Sequence, residues 1–200
     1  MNAHARKRLF DLALLLPLLP LFAAAVGALA LGVLLFDGRP IFFTQPRVGR
    51  DRRVFQVFKL RTMTCEPDAK DRRPTRFGRF LRQRGLDELP QLLVNVLRGD
   101  MSLVGPRPLT EADADRLVAE HPPFAARFTV PPGLTGLAQI CLAQGSALTA
   151  ALDAAYAERR TAVLDLQILL RTAWMNLVGK RRGALRSELP WVRPRLSSWP

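Results

Sequence analysis

The sequence has few residues of the types that bind zinc or build disulfide frameworks. Its 200 residues include two cysteines and two histidines, at Cys65, Cys141, His4 and His121. Because a structural zinc ion needs several such ligands at short spacing, we exclude a zinc site of the usual Cys/His kind. Two isolated cysteines are typical of reduced packing residues in a chain that faces the cytoplasm.

The motifs of several common enzyme classes are absent as well. The sequence contains no Gly-x-x-x-x-Gly-Lys loop, no Gly-x-Ser-x-Gly elbow and no His-Glu-x-x-His helix, so we exclude the enzymes that depend on these motifs. A hydrophobic content of 48% and a charged content of 24% are ordinary for a globular chain, which excludes disorder and a collagen-like structure. The length suits one domain with its own core.

Acidic residues are scarce relative to basic ones. Thirty Lys and Arg stand against 17 Asp and Glu, which gives a formal net charge of +13. Most of the surplus lies between Arg39 and Arg84, where 14 basic residues accompany 4 acidic ones. This concentration of positive charge predicts an anionic partner.

A long run without charge lies near the N-terminus. The run from Leu12 to Phe36 is dominated by Leu and Ala. As a helix rising about 1.5 Å per residue, it is long enough to cross a hydrocarbon core of about 30 Å. Pro17 and Pro20 remove backbone donors early in the run, so they are expected to kink or break the helix there.

Basic residues flank this run on both sides. Arg6-Lys7-Arg8 precedes it, and a basic cluster that begins at Arg39 follows it. Because positive residues favour the cytoplasmic side, a straight crossing would place one cluster on the wrong face. We therefore favour a bent, re-entrant hairpin over a single span. A secretory signal peptide is a further alternative, since Ala23-Ala24-Ala25 imitates a cleavage site.

The chain after the apolar run predicts a small β-hairpin followed by a basic helix. Residues 40–45 and 54–60 have the β-branched and aromatic character of short strands, with a turn over residues 48–51. Residues 76–84 then interleave Phe and Leu with four arginines. This pattern fits a helix lying on anionic lipid, and equally an ordinary helix that packs a narrow apolar stripe on the core.

Helical periodicity dominates the remainder. Leu89, Leu92, Leu93, Val96 and Leu97 mark one buried face of a helix that Asp87 would cap and Gly99 would end. Further helices are predicted over residues 110–121, 147–160 and 161–178. The tail combines basic residues with Trp191 and Trp199, a composition that suits a membrane interface.

One acidic pair lies among cations and is the candidate for chemistry. Asp87-Glu88 has basic neighbours in sequence and in the predicted strands, namely Lys59, Arg61, Arg82, Arg84 and Arg107. The field of a helix N-terminus would help to keep Asp87 ionised. Asp87 is then either a nucleophile toward phosphorus, with a divalent cation and arginines offsetting the charge of a diphosphate, or a simple helix cap. The Gly105-Pro106-Arg107-Pro108 segment is by itself a stiff turn.

Seven segments in order along the chain resemble the bacterial sugar transferase family. They are Lys7-Arg8-Leu9-Phe10-Asp11, Phe43-Thr44-Gln45 with Arg47-Val48-Gly49, Lys59-Leu60-Arg61-Thr62-Met63, Leu86-Asp87-Glu88-Leu89-Pro90-Gln91, residues 95–102, Val104-Gly105-Pro106-Arg107-Pro108 and Pro132-Gly133-Leu134-Thr135-Gly136. This family comprises small monotopic phosphoglycosyl transferases that start glycan assembly on polyprenol phosphate.

The resemblance implies a fold and a location. It implies a mostly helical α+β protein with a re-entrant membrane hairpin over residues 1–38 and a compact cytoplasmic catalytic domain over residues 39–200. The domain would carry the small β-hairpin and interfacial amphipathic helices. The expected location is the cytoplasmic face of the bacterial inner membrane, and a homodimer is left open.

The resemblance also implies a ping-pong reaction. Asp87 would attack the sugar-bearing phosphate of a UDP-sugar, UMP would leave, and polyprenol phosphate, such as undecaprenyl phosphate, would take the phosphosugar from the enzyme. Glu88 would assist, and Asp87 and Glu88 would hold Mg²⁺. The expected substrate-binding residues are Lys59, Arg61, Arg82, Arg107 and Pro108.

The competing hypothesis is a non-catalytic membrane adaptor. Its basic face would grip anionic lipid or nucleic acid. The transferase hypothesis needs no nucleic acid, and unlike the adaptor it gives the ordered acidic and basic motifs a use.

Overall fold

The structure is a computed structural model, and it describes residues 2–178. The predicted interfacial tail with Trp191 and Trp199 lies outside the described residues. Both cysteines are free thiols, as predicted. Cys141 is buried, whereas Cys65 is exposed, so the predicted packing role is wrong for Cys65.

The N-terminal region is one helical run with an irregular turn inside it. Helix α1 covers Ala3–Leu15, a 3₁₀ turn covers Leu16–Leu18, and helix α2 covers Leu19–Asp37. The predicted interruption of the α-helix near Pro17 is thus confirmed. The run Ala3–Asp37 is long and apolar enough, by length and composition, to cross a membrane.

Both ends of this run contact the rest of the molecule. Arg8 donates hydrogen bonds to the main-chain carbonyls of Val96 and Leu97, and at the far end the Oγ1 of Thr75 donates to Asp37 at 2.7 Å. Between these ends, many large apolar side chains are exposed, among them Leu21, Leu31, Leu35 and Phe36.

A buried ion cluster ties α1 to the C-terminal helices. The Nζ of Lys7 lies 2.9 Å from a carboxylate oxygen of Asp11 and 2.8 Å from one of Asp165. The hydroxyl of Ser102 donates to Asp11, and that of Tyr156 donates to Asp165. All three charged side chains are more than nine-tenths buried, so this cluster fixes the position of α1 on the body.

The predicted β-hairpin is confirmed. Strands β1 (Phe42–Val48) and β2 (Val54–Leu60) pair antiparallel, with Phe42 opposite Leu60, and a short 3₁₀ turn over Arg50–Arg52 connects them. Helix α3 follows at Arg76–Arg84 and ends at Gly85 in the left-handed conformation, with φ +67°.

Helix α3 packs a narrow apolar stripe and exposes its arginines. Its Leu81 is buried in a cluster with Val33 of α2 and Leu60 of β2. The ring of Phe77 lies 5.4 Å from that of Phe36. Helix α3 therefore packs on α2 and β2 and keeps a basic outer face, and the predicted contact of that face with anionic lipid stays a prediction.

A second, two-stranded sheet lies near the predicted site. Strands β3 (Ser102–Val104) and β4 (Gly133–Thr135) are parallel, with Ser102 opposite Gly133. A Cβ atom on Gly133 would lie 1.9 Å from the backbone nitrogen of Gly105. Only glycine allows this close approach, which brings the segment after β3 against β4.

The other helices surround the main core. They are α4 (Glu111–Glu120), a 3₁₀ segment (Pro122–Thr129), α5 (Leu137–Ile140), α6 (Ser146–Arg159) and α7 (Ala162–Val178). The bounds of α4, α6 and α7 agree with those predicted from periodicity. The core includes Val96, Val104, Leu152, Tyr156 and Ile168. The described chain is therefore mostly helical with two small sheets, in agreement with the predicted class.

Candidate active site

Glu88 is held by two cations from two other elements. Its Oε1 accepts a hydrogen bond from the Nζ of Lys59 at 2.6 Å and another from the Nη2 of Arg107 at 2.7 Å. Lys59 comes from β2 and Arg107 from the turn after β3. Burial favours a raised pKa for Glu88, but Arg107 and Lys59 outweigh it and hold the pKa below its ordinary value.

Asp87 is buried beside this ion cluster, with 8% of its surface exposed. Burial and the neighbouring charge of Glu88 raise the pKa of Asp87 above its ordinary value, while Lys59 and Arg82 act in the opposite direction. Asp87 is therefore a carboxylate of increased basicity among cations that still favour its ionised form.

The predicted helix cap at Asp87 is wrong. Left-handed Gly85 ends α3, and Leu86–Glu88 forms a 3₁₀ turn in which Asp87 is the middle residue. The next helical segment covers residues 90–98. Because Asp87 precedes that segment and is buried, desolvation outweighs any helix field, and the pKa shift has the opposite sign to the one predicted.

A π-helix locks the following segment to the hairpin. Leu92–Val96 has π geometry, which places the side chain of Asn95 on strand β2. Its amide donates to the Gln56 carbonyl at 2.7 Å and its Oδ1 accepts from the Phe58 nitrogen at 3.2 Å. Such wide turns often accompany functional sites. Here the bonds of Asn95 tie the helical segment that follows Glu88 to the strand that carries Lys59.

The Gly105–Pro108 turn lies against β4 and β1. The nitrogen of Gly105 donates to the Thr135 carbonyl at 2.8 Å, and the nitrogen of Gly133 donates to the Pro106 carbonyl at 2.9 Å. These bonds hold the turn so that the half-exposed Arg107 side chain reaches Glu88.

A small pocket opens beside Glu88, and its polar wall includes Arg47, Lys59, Gln91, Arg107 and Pro108. Pro108, a predicted substrate-binding residue, lines this pocket, and its carbonyl accepts a 3.4 Å hydrogen bond from Arg47. Asp87 is not among the described residues that line this pocket.

Two residues of this wall are missing from the sequence prediction. Gln91 is 2% exposed, and its Nε2 has no hydrogen-bond partner within the described part of the chain. Its spacing of three residues from Glu88, typical of one helix face, is the signal that could have found it. For Arg47, burial and Arg107 lower the pKa. Arg47 and Gln45 are two residues apart on β1 and therefore lie on the same face of the strand, where their side chains bond. This spacing of two polar residues is the signal that could have found Arg47.

Arg61 is not brought to the pocket. Its buried guanidinium donates to the main-chain carbonyls of Pro40 at 2.6 Å and Gly38 at 2.9 Å, and to that of Asp37. In this arrangement Arg61 holds the end of α2, and its expected contact with substrate stays a prediction. Arg82 is exposed and lies near enough to Asp87 to lower its pKa.

The acidic pair supplies a metal-binding set of limited size. Within the described residues, no group of three or more His, Cys, Asp or Glu side chains could hold a metal ion. Mg²⁺ is commonly bound through one or two carboxylates together with substrate phosphates. Asp87 and Glu88 fit that pattern, and both cations that contact Glu88 use Oε1.

Comparisons with known proteins agree with these motifs. The family model described as bacterial sugar transferase matches residues 2–179. A UDP-glucose:undecaprenyl-phosphate glucose-1-phosphate transferase of Caulobacter vibrioides is 44% identical over 84% of this chain and 68% of its own. An uncharacterised sugar transferase of Bacillus subtilis, EpsL, is 41% identical over 87% of this chain and 88% of its own.

Longer proteins also match. A UDP-N-acetylgalactosamine-undecaprenyl-phosphate N-acetylgalactosaminephosphotransferase of Aeromonas hydrophila is 38% identical over 67% of this chain. The aligned region is 33% of that relative. The three relatives thus differ in length and, where their names give one, in the sugar.

Proposed function

Because this chain belongs to the bacterial sugar transferase family and is a phosphoglycosyl transferase, we propose that it moves a phosphosugar from a UDP-sugar to undecaprenyl phosphate and releases UMP. The observation that carries this proposal is the buried Asp87 beside Glu88, which is clamped by Lys59 and Arg107. A non-catalytic adaptor would need neither a buried carboxylate nor this clamp.

In the first half-reaction, a carboxylate oxygen of Asp87 attacks the phosphorus that bears the sugar. The new O–P bond forms as the bond to UMP breaks, and UMP leaves with the electron pair. The raised pKa of Asp87 makes it a better nucleophile than an exposed aspartate. Lys59 and Arg107 lie where they can offset the charge of the phosphates.

In the second half-reaction, a phosphate oxygen of the polyprenol phosphate attacks the same phosphorus. The Asp87–phosphorus bond breaks, which restores the carboxylate and yields a lipid-linked diphosphate sugar. Glu88 keeps Lys59 and Arg107 directed at the pocket through both steps, and the free amide of Gln91 is available to donate to a substrate oxygen. Mg²⁺ held by Asp87 and Glu88 would neutralise part of the diphosphate charge.

We infer that residues 1–38 enter the cytoplasmic leaflet of the inner membrane and return, so that residues 39–200 form a catalytic domain at that surface. The 3₁₀ turn at Leu16–Leu18, the exposed apolar side chains and the contacts at both ends of the run support this topology. One substrate is dissolved and the other is anchored in lipid, so the site must lie at the interface.

The topology predicts where labels will react. In a background that combines Cys65→Ser with Cys141→Ala, single cysteines placed at Asn2 and at the exposed Arg39 should both react with an impermeant maleimide in inside-out membrane vesicles. Neither should react in right-side-out vesicles, because a re-entrant hairpin returns both ends to one side. Opposite accessibility of the two positions would establish a single span and remove the hairpin.

The reaction itself predicts a defined set of requirements. The purified protein with a panel of UDP-sugars, Mg²⁺ and undecaprenyl phosphate should release UMP, measured by a coupled luminescence assay. Chelation with EDTA should stop the release, and added Mg²⁺ should restore it. If no UDP-sugar in the panel yields UMP while the protein is folded and membrane-bound, the proposed reaction is wrong.

A further inference from the structure

The three consecutive carbonyls of the Arg107 turn are each held by a different element. The Pro106 carbonyl accepts from the Gly133 nitrogen of β4, and the Pro108 carbonyl accepts from the Arg47 side chain of β1. Between them, the Arg107 carbonyl accepts from the guanidinium of Arg127, in the 3₁₀ segment Pro122–Thr129.

The prolines on either side leave this turn few other means of support. Neither Pro106 nor Pro108 has a backbone N–H, so the turn must be held largely through its carbonyls. Arg107 is the one residue of the three whose side chain contacts Glu88. The hydrogen bond from Arg127 therefore holds the main chain of Arg107, the residue whose side chain pairs with Glu88.

Arg127 is itself confined on two sides. Its Nη2 lies 3.4 Å from Oδ2 of Asp153 in α6, and its guanidinium lies 4.6 Å from the centre of the Phe124 ring. The side chains of Arg127 and Asp153 are each 4% exposed. Arg127 therefore has few alternative positions.

Burial of the two charges of the Arg127–Asp153 pair costs free energy of desolvation. Burial raises the pKa of Asp153 to about 6 against the effect of Arg127, and burial likewise lowers the pKa of Arg127. Buried ion pairs of this kind often contribute little net stability compared with apolar packing. What this pair fixes is the position of the Arg127 guanidinium, which bonds the Arg107 carbonyl.

We propose that Arg127, confined by Asp153, is a positioning residue. It holds the main chain of Arg107 in the position from which the Arg107 guanidinium reaches Glu88 and the substrate phosphates. The role in the reaction rests on the proposed function, whereas the contact with the Arg107 carbonyl does not. An error of about 1 Å in the position of such a group can lower a rate by about 10²-fold.

The test removes the pair without leaving a buried charge. Arg127→Gln combined with Asp153→Asn deletes both charges, and kcat and KM for the UDP-sugar are measured by UMP release with the full chain in detergent micelles. We expect kcat to fall by between about tenfold and 10²-fold. The matched control is Phe128→Leu, a buried neighbour in the same segment that packs in a cluster with Val48 and Ala114, which should lower the melting temperature and leave kcat unchanged.

A double-mutant cycle with Arg107 distinguishes a positioning role of the Arg127–Asp153 pair from a merely structural one. In an Arg107→Gln background, removal of the Arg127–Asp153 pair should have almost no further effect on kcat, because both changes disable the same group. Equal losses in the two backgrounds, or an unchanged kcat when the pair alone is removed, would overturn the proposal. If the double variant does not fold, Arg127→Lys, which preserves the charge facing Asp153, serves in the same cycle.

A second measurement does not depend on activity. Arg107 is 54% exposed in its side chain, so its modification by phenylglyoxal can be followed by mass spectrometry. Removal of the pair should accelerate modification of Arg107 severalfold, whereas Phe128→Leu should not. An unchanged rate would contradict the positioning role even in a protein that released no UMP. Absence of UMP release by the unaltered chain would instead count against the proposed function alone.

Discussion

Replacement of Asp87 with asparagine should lower UMP release by at least about 10⁴-fold, the scale of loss when a covalent nucleophile is removed. The amide has the same shape but cannot form the bond to phosphorus. Intact mass measurement of the unaltered protein after mixing with UDP-sugar and Mg²⁺, without the lipid acceptor, should show one added phosphosugar. The Asp87→Asn protein should show none.

The control for this result is Asp115→Asn. Asp115 is exposed and its carboxylate is paired only with Arg52 in the described contacts, so its loss should leave both turnover and the mass adduct unchanged. Turnover of the Asp87→Asn protein at the unaltered rate, or an adduct mapped by peptide sequencing to another residue, would show that the nucleophile is elsewhere.

Glu88→Gln should lower kcat by between about 10² and 10³-fold and shift the pH profile toward acid. The rate needs ionised Asp87, so kcat/KM falls as pH drops through the raised pKa of that group. The charge of Glu88 contributes to the raised value. Its removal, together with release of Lys59 and Arg107, lowers the pKa of Asp87, and the acid limb of kcat/KM against pH moves to lower pH.

Glu120→Gln is the matched control for this variant. Glu120 is exposed and pairs with Arg116 on α4, away from the pocket, so neither the rate nor the pH profile should change. An acid limb that stays in place or moves to higher pH in the Glu88→Gln protein would show that Asp87 is not the group that titrates.

The elements of the fold were largely predictable because their signals are local. Alternation identified β1 and β2, and the periodicity of three and four residues identified α4, α6 and α7. The π-helix at Leu92–Val96 carries no such signal, since an ordinary amphipathic pattern covers it. Its geometry depends on the contacts of Asn95 with β2.

The sequence predicted which residues form the candidate site, but not their burial, ionisation or contacts. Motifs placed Asp87, Glu88 and Arg107 in one region, and the structure joins Glu88 to Arg107 directly. Burial is a property of the whole fold, however. For that reason the sequence suggested a capped, readily ionised Asp87 and a phosphate-binding Arg61, whereas the structure buries the former and engages the latter with main-chain carbonyls.

The contact of Lys7 with Asp165 joins two parts of the chain that the ribosome makes far apart in time. Lys7 is synthesised early, and Asp165 lies near the end of the described chain. Without Lys7, the buried carboxylate of Asp165 loses the cation that pairs with it. Deleting the first 38 residues to obtain a soluble catalytic fragment would therefore leave an uncompensated charge in the core. The interior charge of the described body is therefore balanced only when residues from both ends of that body are in place.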